Sequence, residues 1–204
     1  MTDTTFIEKL DFDRAKSVHD ISNTSCDETN VLLQAKDFGV DLVYFNKDER
    51  TNSMFPAVFF KRVTNFQDTS ILEEIANIQR KVWNYKKVLF LYVYSDTEIR
   101  IYSCSEKPPI VTKDNFDYEK ELQTVEIKSY LYSDKEQLKE LNKLFSRIAI
   151  DTGIIWTLEE AQFIRDKISL QKRVDKYLVR SLINTANQLQ EQGLKMDFIH
   201  KIIL

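Results

Sequence analysis

A chain of 204 residues with 43% apolar content, three Gly and three Pro is sized for one domain, or one domain with a helical appendage. That composition excludes a disordered or low-complexity protein. A formal net charge of −3 argues against a protein that grips nucleic acid by overall charge, although the acidic excess lies before residue 60 and a basic excess follows residue 158.

Apolar runs such as residues 88–94 are far too short to span a bilayer, so no membrane partner is expected. Residues 1–13 are acidic and polar and do not read as a secretory signal. Cys26 and Cys104 are isolated, with no His or Cys at ligand spacing, and read as free thiols of a reducing, cytoplasmic setting.

In chain order, Phe6, Leu10, Ala15, Val18 and Ile21 predict a helix over residues 4–21. A short helix is expected to start near Asp27 or Thr29 and to stop at Gly39. Residues 40–45 and 54–63 predict two strands of a hairpin, with Pro56 near the start of the second. Ile71, Ile75, Ile78 and Val82 predict a long helix over residues 70–84, with Ser70 and Glu73 at capping-box spacing. Residues 88–94 suit a central strand covered on both faces, and residues 98–102 alternate as an outer strand. Residues 125–131 fit either an edge strand or a helix. Leu138, Leu141, Leu144, Phe145 and Ile148 then predict a helix over residues 134–149, which Asp134 can cap. One or two long helices are expected over residues 158–192, and another from Met196. The fold class expected is α/β, a mixed sheet of four or more strands flanked by helices and followed by a helical extension. The domain division expected is residues 1–133 and 134–204.

Asp41 opens one strand and Lys61 closes the next. In nucleases of the PD-(D/E)xK type, an Asp and an acid-x-Lys triplet on adjacent strands hold Mg2+, and the Lys steadies the attacking water or the phosphate. Here Phe59 stands where the triplet needs its acid, and Phe cannot ligate a metal. Glu73 or Glu74 of the following helix could replace that carboxylate beside Asp41, and Gln79 could orient the site from the same helix. Otherwise Asp41 and Lys61 form an ion pair or face solvent in a degenerate nuclease sheet.

Arg80, Lys81, Lys86 and Lys87 cluster at the end of the long helix, where they either offset its dipole or touch DNA phosphates. Arg165, Lys167, Lys172, Arg173, Lys176 and Arg180 form a second basic group, interleaved with Asp166 and Asp175, which reads as a salt-bridged face or, through Lys172, Arg173 and Lys176, as a DNA backbone contact. His19 and His200 do not pair, and no Gly-rich phosphate loop or S-adenosylmethionine-binding motif is present.

The run Asp41-Leu42-Val43-Tyr44-Phe45, residues 57–61, Arg80-Lys81-Val82-Trp83-Asn84 and residues 91–104 with Lys107-Pro108 resemble the N-terminal region of fused type IIG restriction–modification enzymes and related phage-exclusion methyltransferases. Further on, Phe145-Ser146-Arg147, Gly153-Ile154-Ile155-Trp156, Val174-Asp175-Lys176-Tyr177-Leu178, Gln192-Gly193-Leu194 and His200-Lys201-Ile202-Ile203 are similar to the segment that joins that region to the methyltransferase. The resemblance spans residues 38–204 and rests on the order of aromatic and apolar patterns. It implies a nuclease-like N-terminal domain, Mg2+ if that domain cuts, and DNA contact through the full-length protein. It also implies an adenine-specific methyltransferase domain in cis, which alone would use S-adenosylmethionine. The alternative is a non-catalytic module that docks a protein partner through Ile199, Ile202 and Ile203.

Overall fold

A computed structural model describes residues 9–22, 24–47, 53–106 and 117–168, with single helical positions at 185, 189 and 190. The chain divides into two compact units, Met1–Ile168 and Ser169–Leu204. The first unit holds a six-stranded sheet whose strands lie in chain order. They are β1 (Lys16–Ser17), β2 (Leu42–Lys47), β3 (Met54–Arg62), β4 (Phe90–Tyr94), β5 (Glu98–Ser103) and β6 (Glu126–Leu131). Every neighbouring pair is antiparallel except β3 and β4. A parallel pair needs a crossover, because its strands start at the same end. Helix α2 (Thr69–Tyr85) supplies it; α1 (Cys26–Phe38) precedes the β2–β3 hairpin and α3 (Tyr118–Val125) leads into β6.

Alternation along the strands builds two apolar layers. Val43, Phe45, Phe59, Leu91, Val93 and Tyr102 pack with α1, α2 and α3. Tyr44, Val58, Phe60, Phe90, Tyr92, Ile101 and Tyr130 form the opposite layer. Covering that layer are Leu10 and Phe12, together with α4 (Lys135–Phe145), α5 (Arg147–Thr152) and α6 (Gln162–Ile168). All five residues of β4 are buried, as expected for a strand covered on both faces.

Caps mark the helix ends. Asp134 opens α4 by accepting from the Glu136 and Gln137 amides at 3.0 and 3.2 Å. Gly39 ends α1 at φ 94°, a left-handed conformation that a Cβ disfavours. The helix expected from Asp27 or Thr29 begins at Cys26 behind a true capping box, Ser25 with Glu28. At α2 the expected box is replaced: Asp68 caps the helix by accepting from the Ser70 amide at 2.9 Å.

Further expectations are corrected or resolved. Residues 9–22 do not continue a helix; they pass through turns into β1, which pairs with the start of β2. Their apolar residues serve both faces of the sheet: Phe12 packs edge-on against Tyr44 and Phe60, whereas Val18 lies in the other layer. Residues 125–131 divide between the two readings, with α3 ending at Val125 and β6 beginning at Glu126. Residues 154–161 form two short 3-10 turns, Ile154–Trp156 and Glu159–Ala161, before α6. The compact unit also runs through Ile168 rather than closing at residue 133, because Leu141, Leu144, Phe145, Ile164 and Ile168 bury against the sheet. The helices expected beyond Ile168 lie outside the described residues.

Candidate functional site

Asp41 and Lys61 meet where the β2–β3 hairpin ends. The Asp41 amide donates to the Phe60 carbonyl at 2.9 Å, and its carbonyl accepts from the Val18 amide at 3.1 Å. Its Oδ2 accepts from the Arg62 amide at 2.7 Å, and its Oδ1 lies 3.8 Å from Lys61 Nζ. One carboxylate thus closes the strand end and faces the lysine. Burial, with the Asp41 charge next in weight, pushes the neighbouring Tyr94 hydroxyl up to about 12.

Glu74 completes the group from α2, with Oε1 2.7 Å from Lys61 Nζ. Glu73 does not take part; it faces Tyr118 at the start of α3. Adjacent helical residues point about 100° apart, so only one of two neighbouring glutamates can face the strand. The Lys61 side chain is 14% exposed and the Glu74 side chain 47% exposed, so water weakens their attraction to about 1 kcal/mol or less.

Phe59 lies on the same face of β3, two residues earlier, where the end of α2 covers it. It is fully buried, and its ring stacks on Tyr85 with centroids 6.3 Å apart. A carboxylate at that position would therefore enter the core rather than a solvent-filled site. Among the described residues, no three His, Cys, Asp or Glu side chains gather as metal ligands. Magnesium favours six oxygen ligands in near-octahedral geometry. Here Asp41 already bonds a backbone amide, and the Lys61 ammonium stands against both carboxylates, so this donor set does not fit the ion.

An open depression of about 510 Å³ adjoins the group, lined by Arg62, Val63, Thr64, Ile71, Glu74 and Asp96. The Arg62 guanidinium crosses to Asp96 at 3.0 Å. With two carboxylates against one guanidinium in its lining, the depression does not favour an anion.

Gln79 lies away from this group. It is fully buried, and its amide donates to the carbonyls of Ser103 and Glu106 at 2.8 and 3.3 Å, tying α2 to the end of β5.

The first basic cluster separates. Arg80 turns toward α3 and bonds Glu121, itself 1% exposed, at 2.6 Å. Lys81 donates to the Asp37 carbonyl of α1 at 3.2 Å. Lys86 forms the left-handed cap of α2 at φ 66°, and Lys87 Nζ sits 5.4 Å from the Tyr85 ring centre. From the second cluster, Arg165 donates to the Ile155 and Leu158 carbonyls at 2.7 and 2.5 Å, and Lys167 to that of Thr124 at 2.6 Å. Lys172, Arg173, Lys176, Arg180 and His200 lie outside the described residues, as do Ile199, Ile202 and Ile203. Cys26 and Cys104 are both free thiols, and burial raises the Cys104 thiol well above the ordinary cysteine range.

Sequence reasoning missed one polar link on the opposite face. Tyr44 donates to both Asp151 oxygens at 2.8 Å, and Arg147 joins Asp151 at 3.1 Å while donating to the Asp11 carbonyl at 3.0 Å. It fastens α5 and the N-terminal segment to the sheet. Arg147 and Asp151 stand four residues apart on α5, but Tyr44 and Asp11 lie more than 100 residues away, too far for any local signal.

Fold and site together define an open α/β sheet domain with a lysine held between two carboxylates at the hairpin end. Compared with protein-family models, curated proteins and solved structures, the chain gives no match. No helix of the described residues is long and apolar enough to cross a membrane.

Proposed function

We propose that this chain is a nuclease-type domain of the PD-(D/E)xK kind whose cutting site has been dismantled, from the N-terminal region of a DNA restriction–modification methyltransferase. One observation carries the reading. Asp41 and Lys61 sit together at the ends of adjacent strands, while the position that should supply the second carboxylate is the core residue Phe59. The order of hairpin, crossing helix and parallel strand supports the same reading.

A working site of this kind holds Mg2+ between carboxylates and leaves its lysine free to steady the attacked phosphate. In this chain Glu74 reaches the lysine from α2 and neutralises it. Asp41 keeps a second role as the clasp of the hairpin end. The site therefore survives as an ion-paired brace without cleavage, and any DNA modification belongs to the methyltransferase domain that uses S-adenosylmethionine.

Sequencing the coding DNA past the codon for Leu204 tests the parent assignment. A frame that runs into a Gly-rich S-adenosylmethionine loop and an Asn-Pro-Pro-Tyr-type motif is expected. A stop codon directly after Leu204 overturns it.

A further inference from the structure

We draw no further inference here: the strongest candidate, the partly buried cluster of Glu98, Arg100 and Glu126 where β5 meets β6, rests on the titration of Glu126 alone, and burial of that carboxyl accounts for it.

Discussion

Replacing Phe59 with Glu rebuilds the acid-x-Lys triplet on paper and should break the fold in practice. Phe59 is fully buried in the layer beneath α1 and α2 and stacks on Tyr85. Losing a buried Phe side chain costs about 3–5 kcal/mol. Placing a carboxylate in that apolar setting adds a penalty that protonation only partly relieves. The sum, at least about 4 kcal/mol, is a large part of the total stability of about 5–15 kcal/mol typical of such domains. For a unit of this size, about 2–4 °C of melting temperature goes with each kcal/mol. Phe59→Glu should therefore melt at least about 8 °C below wild type, or fail to fold, and gain no cleavage. Circular dichroism melts of Phe59→Glu beside Phe59→Leu are the assay. A Glu variant that melts within about 2 °C of wild type would refute the reasoning, and more so if it cuts DNA with magnesium.

Other consequences are open to direct test. Lys86→Gly should raise stability by about 1 kcal/mol, because Lys86 holds φ 66° and only Gly adopts that region freely; a urea titration reads it. Arg80→Met leaves the Glu121 carboxylate buried without its cation and should cost about 2–3 kcal/mol, less than a fully buried pair because Arg80 is one-third exposed. The double variant Arg80→Met/Glu121→Leu should recover most of that loss, so equal losses in both variants would contradict the pairing. Two glutamates should give opposite pH trends. Burial raises the Glu126 carboxyl above 4.5 against the opposing pull of Arg100. Its folded form holds a proton more tightly than the unfolded chain, so its contribution falls as pH rises from 4.5 through the raised value. The stability gain from Glu126→Gln should accordingly grow over that window. At Glu28, burial is outweighed by hydrogen bonds from Lys16 and from Ser25, which hold its carboxyl below 4.5. Its stabilisation is present above 4.5 and fades as pH falls through the lowered value, so the cost of Glu28→Gln should shrink in acid. Urea midpoints across pH check both signs.

Much of the sheet and its crossing helix was legible in the sequence, for local reasons. Ile75, Ile78 and Val82 recur at the helical period because one face of α2 is buried, and the unbroken apolar run of β4 reflects cover on both sides. Asp41 and Lys61 could be paired because a hairpin brings the start of one strand to the end of the next. What stayed hidden depends on rotation and on distant partners. Whether Glu73 or Glu74 meets Lys61, and whether Arg80 or Lys81 faces solvent, is set by the rotation of α2 about its axis. The stripe on α4 announced a buried face but not the surface it meets, so its place on the sheet was missed. Residues 9–22 misled because Leu10 and Val18 follow a helical spacing while packing on opposite faces of the sheet.

Incubating the full chain with supercoiled plasmid and magnesium, beside Asp41→Ala and Lys61→Ala, asks directly whether the hairpin site cuts. The dismantled site predicts no nicking above background by wild type or by either variant. Magnesium-dependent cleavage by wild type that both substitutions abolish would contradict it, and would show that Asp41 and Glu74 suffice for a metal site without an acid at position 59.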